Sequence, residues 1–175
     1  MGRNDWPLSK QEFKAIYSKV PRLTVEIVVR DANGAVYMTR RSIEPCKNQW
    51  HLPGGTMQFG ESLIDAVRRV ADRELSIEVK NAVYCGYIEY PSHYKRNRDH
   101  QDRDHPVGLV FEVLDYNGSP VANAEASDSG WFSELPAMMH ADQDVFLVDH
   151  GYLGGESGHQ PSTPSVRSEH GRGKC

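Results

Sequence analysis

A proline followed by two glycines, in Leu52-Pro53-Gly54-Gly55, opens the most constraining stretch of this 175-residue chain. Behind it, at fixed distances, stand Glu61, Arg69 and Glu74. Pro53-Gly54-Gly55 breaks regular structure, so the segment reads as a tight loop. Gly60 and Glu61 then open a helix of about four turns that runs to Leu75. Within it Leu63, Val67, Val70 and Glu74 follow 4-3-4 steps, so one stripe leads from the core to a carboxylate. A loop–helix junction carrying a carboxylate can hold a metal ion and a diphosphate together. Glu61 and Arg69 lie two turns apart, spaced to pair across the junction and fix the loop; the alternative is two separate surface charges.

The flanks supply strands and a few helices. Ser9 caps a helix expected through about Val20, with Phe13, Ile16 and Tyr17 as its buried stripe. Leu23 to Arg30 reads as a strand rich in β-branched residues. Asp31-Ala32-Asn33-Gly34 reads as a hairpin turn, because Asn-Gly tolerates positive φ. Ala35 to Arg40 is the returning strand. Residues 42–51 read as a loop ending at Trp50-His51. Strands are expected at Glu78 to Tyr90, Val107 to Leu114 and Trp131-Phe132, with a polar loop over 91–105 and a turn at Asn117-Gly118. A closing helix runs from Ala141 to Leu153, Val145 and Val148 among its apolar positions. Strands followed by helices with mixed connections predict an α/β sandwich with a mixed sheet.

Composition narrows the class. Length and an ordinary apolar content of 38% suit one domain with a full core, residues 1–153. The stretch 154–175 carries Val166 as its only aliphatic residue and is expected to be a disordered tail. A net charge of −4 gives no argument for nucleic-acid binding. No apolar run reaches the roughly 18 residues that span a bilayer. The N-terminus lacks the apolar core of a secretory signal. Cys46, Cys85 and Cys175 are odd in number and without metal-ligand spacing, which reads as reduced thiols in a cytoplasmic protein.

The Gly55, Glu61, Arg69, Glu74 register, closed by Ile77, resembles the Nudix box, G-x5-E-x7-R-E-U-x-E-E-x-G-U with U a bulky apolar residue. The hairpin upstream and Gly130 to Pro136 downstream, Gly-Trp-Phe-x-Glu-Leu-Pro, extend the resemblance over about residues 8–153. It implies the Nudix fold, an α/β/α sandwich. Gly55, Glu61 and Arg69 become the structural part of the box, and Glu74 its divalent-ion ligand. A Glu74 carboxylate, the Gly54 carbonyl and diphosphate oxygens would suit Mg²⁺ or Mn²⁺.

The departures redirect the chemistry. Val70 and Arg73 stand where the box has glutamates, and Ser76 where it has glycine. Val70 cannot ligate and Arg73 would repel an ion, so activating water at phosphorus becomes harder. The GDP-mannose hydrolase branch resembles this pattern: it keeps the last glutamate, loses the earlier one, and breaks the sugar C–O bond with inversion. The resemblance to that branch implies Glu26 in place of its aspartate, Arg41 on the leaving diphosphate, His105 as catalytic base and Asp104 as a further metal ligand. Tyr87, Tyr90 and Tyr94 are candidates to stack on a base or sugar, with core packing the stronger reading for Tyr87. Arg103 belongs to a charged loop able to close over a nucleotide sugar. Similar proteins exchange their N-terminal segments, which implies a homodimer. Two other functions stay open: a diphosphatase cutting P–O, and a nucleotide-binding domain without catalysis.

Overall fold

The computed structural model describes residues 8–43, 46–95, 104–124 and 126–154. Strand β1 (Arg22–Val29) lies at its centre, with every residue from Thr24 to Val29 buried, the pattern of a strand covered on both faces. It pairs in parallel with β6 (Pro106–Asn117) and antiparallel with β4 (Gly54–Thr56), and β6 pairs antiparallel with β5 (Glu78–Glu89). This mixed sheet has the order β4-β1-β6-β5. A second, antiparallel sheet has the order β3-β2-β7, from Trp50–His51, Val36–Arg41 and Ala126–Phe132.

Two helices cover the larger sheet. Helix α2 (Leu63–Leu75) sets Ala66, Val67, Val70, Ala71 and Leu75 against Val25, Ile27, Val29 and Phe111. Each large side chain so buried contributes about 1.5–3 kcal/mol, which outweighs modest helix propensity. On the other face α4 (Ala141–Asp149) packs Phe146 and Leu147 with Val28, Met38, Leu52 and Ile88. Short α3 (Pro91–Lys95) follows β5. The expected α/β/α sandwich with a mixed sheet is what the chain forms.

Several local expectations change. The Asp31 turn forms, its Oδ1 accepting from Asn33 N and Ala35 N, with Gly34 at φ +87°. Yet among the described residues β1 and β2 are joined by no ladder, just the isolated Arg30–Val36 bridge, and they part into different sheets. Gly54-Gly55 does not break regular structure; it pairs with β1 as β4. Helix α1 (Lys10–Tyr17) ends short of Val20 and buries no residue: Phe13 and Tyr17 are half-buried and Ile16 is exposed, because the helix borders the cleft rather than the core. Leu63, Val145 and Val148 are also exposed, and so is Tyr87 at 60%, against the core placement expected for it. Helix α2 begins at the cap Ser62 and ends at Ser76, a non-glycine residue in the left-handed region at φ 55°, ψ 36°.

Candidate functional site

The two sheets and α1 enclose a cleft of about 290 Å³, into which β1 points a carboxyl. Glu26 is 7% exposed and sits opposite Gly54 in the β1–β4 register. A Cβ at Gly54 would meet Glu26 Oε2 at 1.7 Å, and one at Gly108 would meet its Cγ at 2.9 Å. Two bare backbones, one on each neighbouring strand, therefore make the space this side chain occupies. Thr24 Oγ1 donates to Glu26 Oε1 at 2.9 Å. Burial pushes the carboxyl up to about 7, against the opposing hydrogen bonds from Thr24 and Tyr90. Tyr90 lines the same cleft and is braced through Gln143, whose Nε2 donates to Tyr90 Oη at 2.9 Å while its Oε1 accepts from Leu52 N at 2.8 Å.

Arg41 enters at the end of β2, where the register with β7 shifts between Arg40 and Arg41 and re-aims the strand. Its Nε is buried and has no hydrogen-bond partner among the described residues. A guanidinium donor taken out of water and left unpaired at a cleft is suited to an anion. His51 stands beside it. Its Nδ1 faces Leu52 O at 2.7 Å and its Nε2 faces Thr39 Oγ1 at 3.3 Å. Burial, joined by the Arg41 charge, pushes this imidazole down to about 4, so it is neutral at physiological pH.

The loop–helix junction lies at the cleft's edge. Arg69 grips Glu61 through Nε at 2.6 Å and Nη2 at 2.8 Å, and Nη2 also donates to Thr56 O at 3.0 Å. Glu61 Oε2 accepts in turn from Gln58 N at 3.0 Å. The pair ties the loop to the helix, and the hydrogen bond from Arg69 holds the Glu61 carboxyl below its usual range despite burial. Val70 is in the core, against Gly55. Arg73 also leans on Gly55 and reaches Glu74 Oε1 through Nη2 at 2.7 Å. Glu74 is itself nearly buried, its side chain 12% exposed, and shares a small side pocket with Arg41, His51 and Thr39.

The remaining expected residues fall differently. Asp104 lines the cleft but is held in a fork by Arg22, at 2.9 and 2.5 Å, which occupies both oxygens. Asp104 and Pro106 both line the cleft, whereas His105 between them does not; side chains alternate along an extended chain. His105 contributes its carbonyl, which accepts from Arg22 N at 2.8 Å. The cleft's histidines are instead His51, His93 and His140. His140 does not stand out in the sequence and Cys46 reads there only as a reduced thiol, because nothing local to either segment marks their convergence; His93 is one of several histidines in a charged loop. Arg103 and the Tyr94 side chain lie outside the described residues.

The residues present offer a hard divalent ion one carboxylate rather than a cluster. Among the described residues no three acidic side chains converge at the junction. One carboxylate, Glu74, remains there, paired with the half-exposed Arg73 that lies against Gly55.

A mixed sheet between helices, with a Gly-Gly strand leading into a carboxylate-bearing helix, is the Nudix arrangement, and comparison with known proteins agrees. The NUDIX domain profile matches residues 20–148, and the chain belongs to that family. It is 36% identical over 104 residues to the low-salt glycan biosynthesis protein Agl8 of Haloferax volcanii, covering 58% of this chain and 64% of that protein. It is 24% identical over 157 residues to the 8-oxo-dGDP phosphatase NUDT18 of Mus musculus, covering 83% of this chain and 43% of that protein. The chain thus spans less than two thirds of the length of these relatives. The crystal structure of a MutT NUDIX hydrolase from Burkholderia pseudomallei superposes with a TM-score of 0.62 at 23% identity, over 71% of this chain and 95% of that one.

Proposed function

We propose that this chain hydrolyses a nucleoside-diphosphate sugar, of the GDP-mannose kind, to free sugar and nucleoside diphosphate by breaking the sugar C–O bond. The observation that carries the reading is the buried, unpaired Arg41 Nε in the cleft that holds Glu26, beside a box reduced to one carboxylate. Arg41 takes the leaving diphosphate. Glu26 accepts the proton of a water whose oxygen bonds to the anomeric carbon as the C–O bond to phosphate breaks, with inversion. A carboxyl near 7 is matched to that task at neutral pH.

Glu74 and the Gly54 carbonyl would hold a single Mg²⁺ or Mn²⁺, which supplies neutralisation of the departing diphosphate. Asp104 is the weaker ligand candidate, since Arg22 competes for it. Glu26 replaces His105 as the preferred base because it lines the cleft. Tyr90 positions Glu26 and borders the sugar. Helix α1, with no buried residue, is the segment available to exchange in a homodimer. Among the described residues no helix is long and apolar enough to cross a membrane, and the free Cys46 and Cys85 suit a reducing cytoplasm. The glycan biosynthesis in the name of the Haloferax relative supports a sugar substrate.

The phosphatase named in the mouse relative supports the other reading, P–O cleavage. A panel of nucleotide sugars with Mg²⁺ separates the two. Sugar plus nucleoside diphosphate is the expected pair of products. Sugar phosphate plus nucleoside monophosphate means P–O cleavage. No turnover of any member, with saturable nucleotide binding, means a binding domain.

A further inference from the structure

One cluster in the cleft has no part in that chemistry. Cys46 comes from the loop after β2, His93 from α3, and His140 from the cap of α4. Their ligand atoms all lie within 4.8 Å of one another. His93 Nε2 is 3.0 Å from His140 Nε2, and Cys46 Sγ is 3.8 Å from His93 Nε2. We propose that Cys46, His93 and His140 bind one borderline transition ion, Zn²⁺ foremost, with its fourth position open to the cleft.

The distances suit that ion. Zn–N and Zn–S bonds in tetrahedral geometry give N···N edges of about 3.3 Å and N···S edges of about 3.6 Å. The two observed edges lie close to these. The donor set of one thiolate and two imidazoles selects zinc-like ions over Mg²⁺ or Ca²⁺, which take oxygen. Three protein ligands facing a cleft leave a position for water or a substrate oxygen.

The surroundings already fix the ligands. Cys46 is held at φ 65°, the left-handed region that few cysteines adopt, with its carbonyl accepting from Gln49 N. His93 Nδ1 faces the Asp104 carboxylate at 3.8 Å, an ion-pair contact, while its Nε2 faces Cys46 and His140. Ser92 N and Oγ both donate to Asp142 Oδ2, which ties α3 to α4 and so His93 to His140. The two Nε2 atoms stand at hydrogen-bond distance, and an ion between them would displace the proton of whichever one donates. His140 Nδ1 now accepts from Asp142 N at 3.3 Å. Ligation through Nε2 moves a proton to Nδ1 and gives up that one long cap bond in exchange for metal–ligand bonds. The site stands whichever bond of the substrate breaks.

Cobalt substitution tests it. The 175-residue chain carrying Cys175→Ser, freed of metal with chelator, is titrated with Co²⁺. One equivalent is expected to produce a thiolate-to-cobalt charge-transfer band in the near ultraviolet, displaced by one equivalent of Zn²⁺. Cys46→Ser should abolish the band, while Cys85→Ser should keep it. Asp104→Asn, which removes the charge facing His93, should weaken Co²⁺ binding by about 2–5-fold. Circular dichroism establishes that each variant is folded, and the half-buried Cys46 makes its serine variant the mildest change to the structure. Absence of the band, or its survival in Cys46→Ser, overturns the proposal. Hydrolysis of nucleotide sugars is not part of this readout, so either reading can fail alone.

Discussion

Arg73 and Glu74, adjacent in sequence, close on each other at 2.7 Å at the place where Nudix boxes gather negative charge. The arginine sits against Gly55 and neutralises the one carboxylate that remains. On the proposed reading, an ion and Arg73 compete for Glu74.

Replacing the arginine should favour the ion. In Arg73→Gln the Mg²⁺ concentration giving half-maximal activity is expected to fall by about 2–5-fold, the scale of an exposed ion pair. Glu74→Ala should lose the Mg²⁺ dependence along with most turnover. Metal titrations of both variants check this. A higher Mg²⁺ requirement in Arg73→Gln would mean that Arg73 itself serves the substrate.

Glu26→Gln keeps the shape and removes the base. A loss of about 10²–10⁴-fold in kcat is expected. In the wild type kcat/KM should rise with pH through about 7 as Glu26 loses its proton, a limb absent from the variant. Stability runs the other way. Burial keeps the proton on Glu26 in the folded chain, so between 4.5 and about 7 the folded state binds more protons than the unfolded one. Stability contributed by this carboxyl is thus complete below 4.5 and declines as pH rises through 7. Denaturant unfolding at several pH values, compared with Glu26→Gln, measures that slope.

Gly54→Ala tests the space around the carboxyl. The added methyl would lie 1.7 Å from Glu26 Oε2 and 3.0 Å from Val25 O, and a side chain this buried has little room to retreat. Activity should fall towards that of Glu26→Gln, with about 1–3 kcal/mol of stability lost. Gly55→Ala meets the end of the half-exposed Arg73 and one Val70 methyl, and should cost less. Kinetics and thermal unfolding of the two variants compare them.

Ser76 stands in the left-handed cap that the box normally gives to glycine, at φ 55°. Ser76→Gly should stabilise the fold by about 0.5–1 kcal/mol, the left-handed strain relieved less the added chain entropy. A Tm raised by a few degrees with unchanged kcat is the expected result.

Local signals in the sequence were the dependable ones. The caps at Ser9 and the α2 stripe of Val67 and Val70 follow from short-range chemistry and periodicity, and they read correctly. Partner choice did not. Asn33-Gly34 reverses the chain, but nothing in the turn says that β2 will join another sheet. Gly54-Gly55 reads as a breaker, because its pairing with β1 serves the side chain of Glu26, distant in sequence. The same limit hid the cleft's histidines. His105 precedes a strand and looks well aimed, yet alternation turns Asp104 and Pro106 to the cleft in its place. Cys46, His93 and His140 meet only once α3 and α4 pack together.

Hydrolysis in ¹⁸O-water asks most directly whether the bond at carbon or the bond at phosphorus breaks. With GDP-mannose and Mg²⁺, the account predicts that the label appears in the released sugar and that the nucleoside diphosphate stays unlabelled. Label in a phosphate product would contradict it.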